Sequence, residues 1–115
     1  MAITNKKITS SDTTLLTVPA GKRYAITTIM VCNSQPADTG GGNDATFDLH
    51  FIPSGQTKGY ADPNANQILN DLKIAGADTF SFDTEKIVLE EGDSIVAMGQ
   101  AGKEYLLATI SYLEV

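Results

Sequence analysis

Tryptophan is absent from this 115-residue chain, and cysteine and histidine occur once each. A single cysteine, Cys32, excludes a disulfide framework within the chain, and no second thiol stands near it to build a zinc site. That pattern implies a reducing compartment, or a fold that does not depend on oxidation. The N-terminal stretch Met1-Ala2-Ile3-Thr4-Asn5-Lys6-Lys7 has no apolar segment behind its lysines, so neither a signal peptide nor a membrane span is expected. Basic clusters are scarce as well. Lys6-Lys7 and Lys22-Arg23 are the only basic pairs in a chain of formal net charge -6. Nucleic acids and anionic membranes require Lys and Arg gathered along a face, so no direct nucleic-acid partner and no membrane partner is predicted. The acidity is read as a solubility device.

Residues able to carry out chemistry are equally sparse. His50 sits beside Asp48 on the polar side of a strand pattern, with no serine aimed at it and no nucleophile-elbow sequence, and is read as a solvated surface residue. Cys32 is expected to be buried as a small hydrophobe. Gly40-Gly41-Gly42 lacks the Lys-Ser/Thr and the helix that a phosphate cradle needs, so no cofactor is expected. Three Asx- and Glu-rich groups invite a calcium reading: Asp38, Asn43, Asp44 and Asp48; Asp62, Asn64, Asn66, Asn70 and Asp71; Glu85, Glu90, Glu91 and Asp93. Calcium takes six to eight oxygens, but the spacings match no fixed motif, and turns use the same side chains for backbone hydrogen bonds. Turn chemistry is preferred, and no metal or catalytic residue is assigned. The chain is expected not to be an enzyme.

What the sequence has in quantity is period-2 alternation, and no segment sustains a helical period. About eight short strands separated by turn signals predict an all-β fold, an antiparallel β-sandwich of jelly-roll type with little or no helix. A hydrophobic content of 42% suits a single core. Residues 1–12 are read as an N-terminal arm and 13–115 as one domain, with the first strand or pair of strands at Ile8 and 13–18. A helical turn is expected near Asn64 to Gln67. Ala45, Phe47, Leu49 and Phe51 alternate inward, with Thr46, Asp48 and His50 outward.

Two strands carry more apolar surface than one wet face allows. The turn Thr17-Val18-Pro19-Ala20-Gly21-Lys22 opens a strand with Tyr24, Ile26, Thr28, Met30 and Cys32 on one face. Ala25, Thr27, Ile29 and Val31 lie on the other. With Ile26 and Met30 in the core, Ile29 and Val31 point away from it. The closing strand places Leu106, Ala108, Ile110 and Tyr112 inward, and Tyr105, Leu107 and Leu113 outward. Either a neighbouring subunit covers this excess, or the loops of residues 33–43 and 54–66 fold over it.

The order of these motifs carries a resemblance. Leu16-Thr17-Val18-Pro19-Ala20-Gly21-Lys22 leads to a strand ending Val31-Cys32-Asn33, and Ala45-Thr46-Phe47 opens one ending Ile52-Pro53-Ser54-Gly55. Asp78-Thr79-Phe80, then Ile87-Val88-Leu89-Glu90-Glu91-Gly92-Asp93-Ser94-Ile95, and a strand closing at Val115 complete the set. From about Leu15 to Val115 the chain resembles the small β-sandwich virion proteins of tailed bacteriophages. The resemblance implies a non-enzymatic structural subunit, a capsid decoration (cement) or neck or tail accessory protein, made in the host cytoplasm and located in the virion. It implies as partners further copies of the chain, as a trimer or ring, and other structural proteins such as the major capsid, neck or tail proteins. Contacts are expected through Ile29, Val31, Tyr105, Leu107 and Leu113, with Lys6 and Lys7 reaching acidic patches of a neighbour. The alternative is a carbohydrate- or receptor-binding module of a phage fibre. With no tryptophan available, Tyr60 in a polar loop is the one plausible stacking platform for that reading.

Overall fold

The computed structural model describes residues 2–59 and 65–115, with side chains for all of these except 83–86. Tyr60, Asp62 and Asn64 lie outside the described residues, and so does the start of the helical turn expected near Asn64. Eight strands are present among the described residues: β1 (Ala2–Ile8), β2 (Thr13–Thr17), β3 (Tyr24–Asn33), β4 (Ala45–Ile52), β5 (Gln67–Ile74), β6 (Thr79–Leu89), β7 (Ser94–Gly99) and β8 (Leu106–Glu114). They form two four-stranded antiparallel sheets, ordered β1-β8-β3-β6 and β2-β7-β4-β5. The expected all-β sandwich is the observed architecture. First pairs with last, second with seventh, third with sixth and fourth with fifth, and β3·β8 and β4·β7 join these ribbons. No helix of the described residues is long and apolar enough to cross a membrane.

The core lies between the sheets. Ile29 and Val31 of β3 and Leu106, Ala108 and Ile110 of β8 meet Phe47 and Leu49 of β4 and Ile95 and Ala97 of β7. Aromatic rings bridge one side of the sandwich: Phe47 lies 6.3 Å from Phe80 and Phe51 lies 6.5 Å from Phe82, in tilted and edge-on geometry. Such pairs add directional attraction to the area they bury. The turns use the chemistry that the sequence announces. Gly21 and Gly92 take the positive φ that their tight turns need, at 78° and 84°. Asp93 accepts a hydrogen bond from the Glu90 N–H and another from the Ser54 N–H, fixing two turns at once.

Three expectations are corrected. Residues 2–8 are not a free arm. They form the edge strand β1, which pairs with β8 along its whole length and seals Ile8 into the core. An edge strand covering one corner needs few buried positions, which is why the sequence shows so little alternation there.

The second correction concerns β3. Ile29 and Val31 are 1% and 0% exposed, whereas Met30 is 39% exposed. Their faces are the reverse of those expected. The cause is a β-bulge at Thr27. Ile26 pairs with Tyr112 and Thr28 with Ser111, so one extra residue stands in β3 without an opposite number. Since side chains alternate with a period of two, one inserted residue sends everything after it to the other face. The Thr27 hydroxyl donates to the Ser111 backbone carbonyl at 3.0 Å and bonds the Ser111 hydroxyl at 2.9 Å, which anchors the bulge.

The third is His50. It points outward from β4, as expected, but it is only 1% exposed. Its outward neighbour Val96 and the outward Ile52 are buried with it. The segment after β4 turns back over this face. Lys58 reaches Asp12 at 2.7 Å and lies on the Met98 sulfur at 3.8 Å. Asn66 ties the segment to itself, donating to the Thr57 carbonyl and accepting from the Gly59 N–H. The described part of this loop, residues 53–59, therefore covers a sheet, but it is the β2-β7-β4-β5 sheet.

Candidate interaction face

The other long loop covers neither face. Asn33, 1% exposed at the end of β3, donates from its amide nitrogen to the carbonyls of Asn43 (2.7 Å) and Ile74 (2.9 Å) and accepts from the Gln35 N–H. The 34–44 loop is thereby held against the turn between β5 and β6 at one end of the sandwich. A Cβ at Gly76 would stand 2.2 Å from the Pro36 carbonyl oxygen, so the two segments touch backbone to backbone. The outer face of the β1-β8-β3-β6 sheet has no such cover among the described residues.

Register gives the makeup of that bare face row by row. Val88, Ala25 and Leu113 share one row. Thr28, Ser111, Ile3 and the strand position of Asp83 share the next. Ser81, Met30, Thr109 and Asn5 form a third, and Thr79, Cys32, Leu107 and Lys7 a fourth. Five of the exposed large hydrophobic side chains, Ile3, Met30, Val88, Leu107 and Leu113, lie on this face. Leu107 lines a shallow hollow of about 500 Å³ together with Asn5, Lys7, Cys32 and Thr109. Register places two charged positions on the face, Lys7 on β1 and Asp83 on β6. The remainder are small and uncharged.

Of the residues expected at contacts, Leu107 and Leu113 occupy this face, while Ile29 and Val31 are core. Tyr105 precedes β8 and packs partly buried against the core. Lys7 stands at the rim beside Leu107. Lys6 points to the opposite side of β1 and donates to the Thr14 carbonyl of the second sheet at 3.0 Å. Tyr60 lies outside the described residues. Reading the sequence alone missed Met30 and Cys32, because the bulge exchanges the faces of β3 after Thr27, and it missed Ile3 and Val88, which lie on β1 and β6. One signal was available: Ile26 and Ile29 are three apart with two threonines between, whereas unbroken alternation separates core residues by two or four.

Carboxylates are spent elsewhere. Glu114 holds Lys22 at 3.1 Å and Glu90 holds Arg23 at 2.9 Å, at the end of the sandwich where β3 begins. The hydrogen bond and charge of Glu114 raise the Lys22 pKa above its ordinary value. Glu104 accepts a short hydrogen bond from the Ser10 N–H, which lowers its carboxyl below the ordinary range and ties the β1–β2 turn to the approach to β8. Asp38 accepts from the Gly40 N–H and Asp48 from the Asp71 N–H, the turn and bulge bonding that such residues favour. Among the described residues no group of three or more His, Cys, Asp or Glu side chains is placed to hold a metal ion. No family model, no curated protein and no solved structure matches the chain.

Proposed function

We propose that the chain is a non-enzymatic structural subunit of a tailed-phage particle, a capsid decoration or a neck or tail accessory protein. It holds to its neighbours through the outer face of the β1-β8-β3-β6 sheet. The observation that carries the reading is the gathering of Ile3, Met30, Val88, Leu107 and Leu113 on one face that no described loop crosses. A wet sheet face alternates polar residues with the core, and a contiguous apolar patch marks a surface that functions covered. The first-with-last strand pairing agrees with the jelly-roll winding that the resemblance implies. Its action is adhesion: apolar area leaves water where two proteins meet, and no group need react. Other structural proteins of the particle, further copies of the chain among them, are its partners.

Mass spectrometry of purified particles from the virus that encodes the chain tests the reading. The expected result is the chain among the particle proteins, at a copy number tied to a symmetry of the capsid, neck or tail. Absence from intact particles, with the chain abundant in the soluble fraction of infected cells, overturns it.

A further inference from the structure

We infer that the occupant of the bare face is a second copy of the same chain, stacked sheet on sheet about a two-fold axis. The inference rests on the adhesive reading of that face and names its partner.

Charge is the first argument. The chain carries a net charge of -6, so two copies repel over most approaches. Register places one cation on this face, Lys7 at the β1 edge, and one acidic position, Asp83 at the β6 edge, so the face is close to neutral while the chain is not. Two copies meeting here add no net repulsion from the face itself. A strongly basic or strongly acidic partner meets a single charge of either sign.

Area is the second. Four strands about 4.8 Å apart, each presenting about eight residues at about 3.3 Å per residue, cover roughly 500 Å². A stacked pair therefore removes roughly 1,000 Å² from water, which reaches the lower bound for a specific interface.

Relief is the third. Met30 projects between Ser81 and Thr109, and Leu107 has Cys32 on one side and Lys7 on the other, so each of these large apolar side chains stands beside a small one. A copy turned over onto this pattern sets its projections into gaps, the interdigitation by which stacked sheets pack about 10 Å apart. Such a contact uses one patch twice and closes at two subunits. A trimer or ring then needs a different surface.

Sedimentation velocity of the intact chain over a concentration series tests this. The expected species is a dimer of the 12.2 kDa chain in exchange with monomer. Leu107→Asp raises the dissociation constant by at least about thirtyfold, as burial of an unpaired charge within an interface does. Leu107→Ser, which copies its neighbours, weakens the dimer in the same direction. Ile68→Asp, at an exposed apolar position on the opposite sheet, leaves the constant unchanged. Circular dichroism and the melting curve confirm that each variant is folded. Labelling of Cys32 by a maleimide is slow in the dimer and fast in Leu107→Asp. A chain that stays monomeric at its highest soluble concentration overturns the inference. So does a dimer indifferent to both Leu107 variants, or a trimer or ring dissociated by them. Particle content is read separately, so a monomer found in particles removes the dimer alone, and a dimer missing from particles removes only the virion role.

Discussion

The two outer faces of the sandwich are treated in opposite ways. On the β2-β7-β4-β5 sheet the chain folds residues 53–59 across a face where His50, Val96 and Ile52 are buried, and clasps the cover with Lys58 on Asp12. Polar side chains at that surface are tied down: Asp48 accepts from the Asp71 N–H and Lys73 stands 3.7 Å from Asp44. On the outer face of the β1-β8-β3-β6 sheet no clasp is present among the described side chains, and Lys7 and Asp83 stand at opposite edges. A comparable loop, 34–44, is pinned at the end of the molecule by Asn33 instead. A chain with the means to cover a sheet does so on one side. The difference teaches that apolar content alone does not identify an interface; the side that the chain's own loops leave open does.

The largest effect comes from testing which residues of β3 face which side. Ile29→Asp with Val31→Asp puts two unpaired carboxylates into the core at about 3–5 kcal/mol each, comparable to the whole stability of a domain of this size. The double variant is expected to be unfolded by circular dichroism, while Met30→Asp, one residue away, stays folded and shifts stability by less than about 0.5 kcal/mol. If both proteins fold equally well, the bulge and the assignment of faces are wrong. Next comes Asn33→Ala, which leaves the Asn43 and Ile74 carbonyls without their donor and releases the 34–44 loop. Urea denaturation should show a loss of about 2–4 kcal/mol. The smallest concerns the clasp of the covered face. Lys58→Ala removes a partly exposed ion pair and is expected to cost about 0.5–1 kcal/mol. Hydrogen exchange should quicken at the amides of β7 and remain unchanged in β8; equal acceleration in both would show that the 53–59 segment is not a local cover.

Much of the fold was legible in the sequence, and the failures have physical causes. The inward sets Ala45, Phe47, Leu49, Phe51 and Leu106, Ala108, Ile110 were readable because unbroken alternation maps directly onto a sheet buried on one side. Leu107 and Leu113 followed from the same parity. β3 misled because alternation was carried through Thr27, where the bulge reverses it. β1 was hidden by its position, since an edge strand shows its backbone and most of its side chains to water. The burial of His50 depends on a loop returning from elsewhere in space, and no local pattern of β4 records that.

Thr27 also sets a rule for length variation in this chain. A strand is counted in twos, and the bulge supplies the odd residue that brings Ile29 and Val31 into phase with Ile110 and Ala108. Loss of one residue between Ile26 and Ile29 turns the second half of the strand inside out, presenting a sulfur-bearing row to the core and a branched aliphatic row to the outside. Loss or gain of two keeps the phase and changes only the reach. Insertions and deletions in this strand are thus sorted by parity before they are sorted by size.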